Sequence, residues 1–226
     1  IFKNYYYIPL LIVFGMFTFS DYGVNGIRNG LGASLFILAM SYVNKPTIMI
    51  GIGILACGFH KAIYLMMAGG LAWFIKNSYY YLAGWIACVG VSYAAGFRIQ
   101  NYLATIGLGD DDRFSGYLTG SNMVGEIVQM SMVFRWDFLA YSAIGVAVGY
   151  YFIFRRNFKD EYYHWIYNTF LVTNAFWVLI IRAAYSNRFA QISWFIMPIV
   201  LIYPFLKQRF WTNHEKMLGY AILLFY

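Results

Sequence analysis

Long runs of apolar residues dominate the chain and predict that it crosses a membrane as α-helices. The runs lie at 5–19, 28–43, 47–59, 62–75, 79–96, 136–154, 162–181 and 189–206, and a further one starts at 217. A helix that crosses the hydrocarbon core needs about 20 mostly apolar residues. Apolar and polar residues do not alternate within the runs, as they would in the strands of a transmembrane barrel. The pattern therefore predicts an all-α, polytopic transmembrane helical bundle of about eight spans.

Two consecutive runs, 47–59 and 62–75, are shorter than a helix needs to cross the membrane perpendicularly, and His60 and Lys61 separate them. Either both helices extend into the headgroup region, or they form a re-entrant hairpin, which is tolerated where protein or water covers the backbone. One continuous helix is disfavoured because it would reverse the orientation of every later span.

The composition agrees with a membrane protein. Of 226 residues, 62% are hydrophobic and 11% are charged, whereas a soluble domain has about 25% charged residues. We expect a single integral membrane domain over residues 1–226. The chain has no initiator Met, and both of its ends lie in apolar runs, so we also expect the N-terminal helices and the C-terminal end of the protein to be missing.

Basic residues in the short loops predict the orientation of the spans, because cytoplasmic loops carry an excess of Lys and Arg. The loops at 20–27, 60–61, 97–135 and 182–188 are then outside. The inside set is Lys3, Lys45, Lys76, Arg155, Arg156, Lys159, Lys207, Arg209 and Lys216. The net charge of +7 follows from this topology, and it does not indicate nucleic-acid binding because the basic residues are scattered rather than gathered on one face.

The segment 97–135 is the longest stretch without an apolar run and is predicted to be a long external loop. Within it, Met123, Ile127, Met130 and Val133 recur at helical spacing. This spacing predicts an amphipathic helix at about 122–134 that lies on the bilayer surface or caps the bundle. Loops of this length are often functional, so we interpret the segment as a lid.

The predicted outer side is rich in arginine. Its basic residues are Arg28, Arg98, Arg113, Arg135, Arg182, Arg188 and a single lysine, Lys61. Guanidinium groups donate paired hydrogen bonds to phosphate or carboxylate, although arginines at span ends can also simply snorkel to the headgroups. Arg28 and Arg182 lie at helix ends, where an ionisable group is costly unless it faces a cavity or snorkels. A lipid-linked diphosphate is the natural ligand for such a set.

Other polar residues of the outer side are candidates for catalysis and sugar binding. His60 can accept a proton near neutral pH or donate a hydrogen bond to phosphate, and the alternative is a purely structural histidine. Asn25, Asn29 and Asn187 can hydrogen-bond sugar hydroxyls, although Asn is also common in turns. We predict no metal and no cofactor, because Cys57 and His60 lack a second ligand pair and the aspartates at 110–112 lack the spacing of a calcium loop.

Three short motifs carry a resemblance to a known family. They are Asn25-Gly26-Ile27-Arg28-Asn29-Gly30-Leu31, then Gly58-Phe59-His60-Lys61, and then Asn187-Arg188-Phe189 ahead of an apolar helix that contains Pro198. In this order they resemble the EpsG family, whose members are similar to Wzy-type O-antigen and capsule polymerases. This chain has Asn29 where that family usually has Gln.

The resemblance implies a multi-pass enzyme of the bacterial inner (cytoplasmic) membrane, a polysaccharide (O-antigen or exopolysaccharide) polymerase that acts as a membrane glycosyltransferase at the outer face. It implies undecaprenyl-diphosphate-linked glycan and membrane lipid as partners, with a chain-length regulator protein as a further one. We assign His60, Arg28 and Arg188 to catalysis. Substrate binding is assigned to Asn25, Asn29, Lys61, Arg113, Arg182 and Asn187. Two alternatives stay open: a transporter or flippase of lipid-linked or anionic sugars, and an O-antigen-ligase-like transferase.

Overall fold

A computed structural model describes residues 7–24, 26–106, 133–184 and 186–223, and all regular structure in these ranges is helical. The helices are α1 (Tyr7–Gly15), α2 (Phe17–Val24), α3 (Ile27–Ser41), α4 (Pro46–Phe59), α5 (Ile63–Gly70), α6 (Ser78–Ile106), α7 (Trp136–Tyr150), α8 (Glu161–Leu179), α9 (Asn187–Trp194), α10 (Met197–Lys207) and α11 (His214–Leu223). A 3₁₀ turn (Leu71–Trp73) extends α5, and a π-helical turn (Tyr151–Arg155) extends α7.

Three stretches in the described part of the chain are long and apolar enough to cross a membrane. They are Ser78–Leu103, Trp136–Arg155 and Asn187–Lys207, and shorter apolar helices cover Ile27–Ser41, Pro46–Phe59 and Ile63–Trp73. Each predicted apolar run corresponds to a helix or to a pair of consecutive helices. The prediction of an all-helical membrane protein is therefore confirmed.

Two predicted spans are divided in the structure. The run at 5–19 forms α1 and α2, which separate at Met16, and α2 continues to Val24. The run at 189–206 forms α9 and α10, which separate at Phe195 and Ile196. Pro198 lies in the first turn of α10, where proline is tolerated because its missing N–H has no intrahelical partner to lose.

Helix α6 is longer than predicted and enters the segment assigned to the external loop. It continues to Ile106, past Ala95, whose backbone (φ −133°, ψ 16°) is not helical. The first ten residues of the 97–135 segment are therefore helical. The amphipathic helix predicted at about 122–134 falls almost wholly outside the described residues.

Helix α8 is the centre of the bundle and contacts α5, α6, α7, α9 and α10. At mid-helix, the Asn174 amide donates to Ser142 Oγ (3.0 Å) and Ser193 Oγ (2.9 Å), and it accepts from Trp85 Nε1 (2.7 Å). All these polar groups are buried and satisfied, as an apolar interior requires. One uncharged network thus joins α6, α7, α8 and α9.

The short helices α4 and α5 form a hairpin with its turn at residues 60–62. Trp165 Nε1 of α8 donates to the carbonyl of Gly70 (2.7 Å) at the far end of α5. A Cβ on Gly53 of α4 would lie 2.9 Å from Met67 Cε of α5. These two residues are seven positions before and seven positions after His60, so the two helices pack against each other as the arms of a hairpin. The arrangement excludes one continuous helix over 47–75, as predicted.

The directions in which the helices run place the basic residues in two groups, one at each end of the bundle. Helix α6 runs parallel to α8, since Ser78 bonds to His164 (2.9 Å) near their starts and Ser92 Oγ donates to the Val178 carbonyl (2.6 Å) near the end of α8. Helix α3 starts beside the α4–α5 turn, because a Cβ on Gly32 would meet Ile63 Cγ1 at 2.7 Å. One end of the bundle, here the arginine end, carries Arg28, His60, Lys61, Arg182 and Arg188. The opposite end, here the lysine end, carries Lys45, Lys76, Lys159 and Lys207.

Candidate active site at the arginine end

Arg28 and Arg188 occupy equivalent positions on two helices of the arginine end. Each is the second residue of its helix, after Ile27 in α3 and after Asn187 in α9, and each side chain is exposed. The first turn of a helix has backbone N–H groups without intrahelical acceptors, and its dipole favours negative charge. Both guanidinium groups are thus placed where the backbone also attracts an anion.

The loop before α3 is held against α2 by Tyr22. The Tyr22 ring is buried (5% exposed), and Asn29 Nδ2 donates to its hydroxyl (3.3 Å). A Cβ on Gly30 would lie only 2.8 Å from Tyr22 Cβ, so a side chain at position 30 would force the two helices apart. Asn29 and Gly30, the two residues after Arg28, therefore help to fix the start of α3.

Helix α2 also contacts α9 and so links the two arginine-bearing helices. Gln191, which lies three residues after Arg188 and is buried, donates from its amide to the Asp21 carboxylate. The Tyr22 ring packs on Phe195 with centroids 5.6 Å apart. The starts of α3 and α9 are thereby both fixed to one helix.

His60 and Lys61 lie exposed in the α4–α5 turn at the same end. His60 Nδ1 accepts a hydrogen bond from the backbone N–H of Ala62 (3.1 Å). Because a backbone N–H can only donate, Nδ1 carries no proton in this arrangement, and the proton of the neutral ring is on Nε2. In this tautomer Nε2–H is the hydrogen-bond donor of the His60 ring.

Arg182 is placed differently from Arg28 and Arg188. Its guanidinium carbon lies 5.0 Å from the centroids of both the Phe97 and the Phe134 ring, and Nη2 donates to the Tyr93 carbonyl (3.4 Å). Its Nε is buried without a hydrogen-bond partner among the described residues. Cation–π contacts of this kind stabilise a partly desolvated guanidinium, so Arg182 ties the end of α8 to α6.

The motifs that match a known family meet at this end of the molecule. The EpsG family model matches residues 1–226, the full length of the sequence. The chain belongs to the EpsG family. No curated protein and no solved structure matched it. The predicted resemblance is confirmed, and membership makes the chain a polysaccharide-polymerase-like membrane protein.

Within this EpsG protein, the three stretches that carry the resemblance are far apart in sequence but lie at one end of the bundle. They are the start of α3, the α4–α5 turn and the start of α9. Among the other predicted site residues, Asn187 is half-buried at the start of α9. Asn25 and Arg113 lie outside the described residues.

Asp21 and Gln191 contribute to the site but were not predicted as a pair. Gln191 is a polar residue inside an apolar run. Because a buried polar side chain requires a hydrogen-bond partner, its position alone indicated that it contacts another polar group. Its partner could not be identified from sequence because Asp21 is 170 positions away. A carboxylate that anchors α2 to α9 is consequently part of this EpsG site.

The arginine end carries exposed cationic side chains that can bind an oxyanion. Arg28, Arg188 and Lys61 are exposed there. Arg135 donates to the Asp137 carboxylate (2.9 and 2.6 Å), which raises the pKa of the Arg135 guanidinium. In the described part of the chain, no group of three His, Cys, Asp or Glu side chains could hold a metal ion. Arg28, Arg188 and Lys61 offer charge stabilisation by guanidinium and ammonium groups, with the His60 imidazole beside them.

Proposed function

We propose that this EpsG protein is a polysaccharide polymerase that uses an undecaprenyl-diphosphate-linked glycan as donor and an acceptor glycan hydroxyl as nucleophile. The hydroxyl oxygen bonds to the anomeric carbon of the donor while the bond from that carbon to the diphosphate oxygen breaks. The lipid diphosphate departs with the bonding electron pair, and the hydroxyl proton passes to this diphosphate, directly or through water. The polymer grows by one repeat unit in each turnover.

The observation that carries the proposal is the convergence of Arg28, the α4–α5 turn and Arg188 at one end of the bundle. Diphosphate is already a good leaving group, so the main requirements are charge stabilisation and positioning of the reactants. Two exposed guanidinium groups, each at a helix start, meet the first requirement. The electrostatic contribution of such donors is often the largest single one in catalysis.

The residues take separate roles in this proposal. Arg28 and Arg188 bind the diphosphate, and Lys61, Arg113 and Arg182 add positive charge around it. His60 donates from Nε2 to the diphosphate or to the acceptor, in agreement with its hydrogen bond from Ala62. The amides of Asn25, Asn29 and Asn187 lie beside the arginines in sequence and hold sugar hydroxyls.

The proposed orientation places the lysine end in the cytoplasm and the arginine end at the outer face of the bacterial inner membrane. Lysine-rich short loops favour the cytoplasmic side. The helices then cross the membrane several times, with the donor lipid in the outer leaflet. A chain-length regulator is the proposed protein partner.

The bundle interior favours an enzyme over a transporter or flippase. Transporters place ionisable groups and broken helices near the bilayer midplane. In the described ranges, the central network of Asn174, Ser142 and Ser193 is uncharged, and the proposed ligand groups are at the bundle end. A ligase-like transferase would use the same donor, and the products distinguish it.

The test is to incubate the purified full-length protein, reconstituted in lipid, with an undecaprenyl-diphosphate-linked repeat unit and to separate the products by size. A polymerase gives a ladder of glycan lengths together with released undecaprenyl diphosphate. Movement of the intact donor between leaflets without a ladder would replace the proposal by a transporter. Transfer only to a different added acceptor, without a ladder, would replace it by a ligase.

A further inference from the structure

A cavity of about 270 Å³ lies at the lysine end, on the opposite side of the bundle from the arginine end. Its polar lining residues are Lys76, Lys159, Glu161, His164 and Asn168, and two tryptophan rings form part of its wall. This volume is near the lower limit of the ~300–1,000 Å³ typical of small-molecule sites, which suits one small polar group rather than an oligosaccharide. The cavity plays no part in the proposed polymerisation.

The wall of the cavity contains an unsatisfied amide. Asn168 is completely buried (0% exposed), and neither its Nδ2 nor its Oδ1 has a hydrogen-bond partner among the described residues. A buried amide without partners destabilises the fold, because it has lost its hydrogen bonds to water and gained none in return. A ligand with a hydroxyl group, which both donates and accepts, would satisfy both atoms.

Three of the other polar side chains of the cavity, those of His164, Lys76 and Glu161, already have partners, whereas Lys159 differs from them. His164 Nε2 lies 3.2 Å from the Phe158 carbonyl oxygen, and its Nδ1 bonds to Ser78 Oγ (2.9 Å), so both ring nitrogens already have partners. Lys76 forms an ion pair with Glu161 (2.9 Å). Lys159 is exposed, and its ammonium group is not neutralised by a described carboxylate. The lining therefore combines one net positive charge, two tryptophan rings and an open amide.

We propose that this cavity binds an anionic polyol phosphate, with the phosphate at Lys159 and Lys76 and a hydroxyl group at the Asn168 amide. The tryptophan rings, Trp73 and Trp165, pack edge to face with centroids 5.2 Å apart and cover the apolar edge of the ligand. Two kinds of ligand carry a phosphate next to a hydroxyl-bearing polyol: the lipid phosphatidylglycerol, through its glycerol headgroup, and a free polyol phosphate such as glycerol 3-phosphate. The proposal is independent of the polymerase reaction.

The test measures ligand binding to the detergent-purified full-length protein by native mass spectrometry. Phosphatidylglycerol, phosphatidic acid and free glycerol 3-phosphate are titrated separately. If the ligand is a lipid, we expect phosphatidylglycerol to bind more tightly than phosphatidic acid. If the ligand is a free polyol phosphate, we expect glycerol 3-phosphate to bind. Binding of neither polyol phosphate would overturn the proposal.

Two variants locate the site. Lys159→Gln should weaken binding about fivefold, the effect of losing one surface charge toward an anionic headgroup, whereas Lys45→Gln, an exposed lysine of the same end outside the cavity, should not. Asn168→Leu should remove the preference for phosphatidylglycerol over phosphatidic acid. Equal effects of Lys159→Gln and Lys45→Gln would overturn the assignment even if Asn168→Leu failed to fold.

Discussion

The two ends of the bundle are built from different interactions. The lysine end is closed by packed aromatic rings: Phe152 lies 5.2 Å from Phe205 and 5.1 Å from Phe210, measured between centroids. Arg156 packs on Trp211, 4.8 Å from its ring. At the arginine end, by contrast, hydrogen bonds and close glycine contacts to Tyr22 and Asp21 hold helix starts in place.

The contrast shows that positively charged side chains have different surroundings at the two ends of the bundle. At the lysine end the basic residues surround a packed aromatic core, where they orient the chain and lie over rings. At the arginine end Arg28 is exposed at a helix start and has no ion pair with a described residue. Substitutions at the two ends should therefore separate stability from catalysis.

The largest effect is expected on stability, from Phe152→Ala at the lysine end. Phe152 is 2% exposed and contacts several rings, and truncation of a buried Phe costs about 3–5 kcal/mol. We expect a lower melting temperature and yield in thermal unfolding, with normal polymer length from the protein that remains folded. Phe154→Ala, at a position that is 37% exposed, is the control and should unfold close to wild type. Equal melting temperatures for the two variants would contradict the claim that the packed aromatic rings stabilise the lysine end.

Arg28→Ala should show the next largest effect, on activity. Loss of one preorganised charge-stabilising donor lowers turnover by about 100- to 1,000-fold, and Arg188→Ala should behave in the same way. The measurement is the rate of undecaprenyl diphosphate release by the reconstituted protein. Lys45→Ala, an exposed lysine of the other end, is the control and should retain wild-type activity. Wild-type chain lengths from Arg28→Ala at normal protein level would refute its role.

Gly30→Ala should reduce activity about tenfold, because an added Cβ would lie 2.8 Å from Tyr22 Cβ and displacing a catalytic group by about 1 Å can cost up to about 100-fold. Polymer synthesis per folded molecule is the quantity to measure. Gly23→Ala is the matched control, since a Cβ on Gly23 meets no atom within 4 Å. If both alanine variants kept full activity, the position of α3 would not matter for the reaction.

The smallest effect is expected from His60→Gln, about threefold or less, because the glutamine amide can still donate a hydrogen bond. The measurement is the rate of undecaprenyl diphosphate release across a range of pH, compared between His60→Gln and wild type. If His60 were instead the general base, its loss would cost about 100-fold or more and would remove the limb of the pH–activity profile near neutral pH. That outcome would reverse the role assigned here.

The helical architecture could be predicted from sequence because apolar runs directly report helices that face lipid. The breaks within the runs could not be placed as well. Met16 and Phe195 are both apolar, so hydropathy does not distinguish a turn at these positions from a continuing helix. The non-helical backbone at Ala95 is likewise invisible in composition.

For the candidate site, sequence supplied the residues and the structure supplied their partners. Arg28, His60 and Arg188 were predicted from charge type and loop position, and whether each one acts in catalysis is still a prediction. The environment of Arg182 could not be derived, because its two aromatic contacts, Phe97 and Phe134, come from segments 85 and 48 positions away. Such contacts depend on the tertiary packing of α6 and α8.

The most direct measurement is photo-crosslinking of the donor to the two ends of the full-length protein in lipid. A photoreactive amino acid is placed at Ile27, beside Arg28, and in a second variant at Ile75, beside Lys76, where exposure is similar (65% and 55%). The donor is a labelled undecaprenyl-diphosphate-linked repeat unit. We expect it to crosslink at position 27 and to give only background crosslinking at position 75. Adding Arg28→Ala to the position 27 variant should abolish its crosslinking. Stronger crosslinking at position 75, or crosslinking at 27 that is unaffected by Arg28→Ala, would contradict the assignment of the arginine end as the active site.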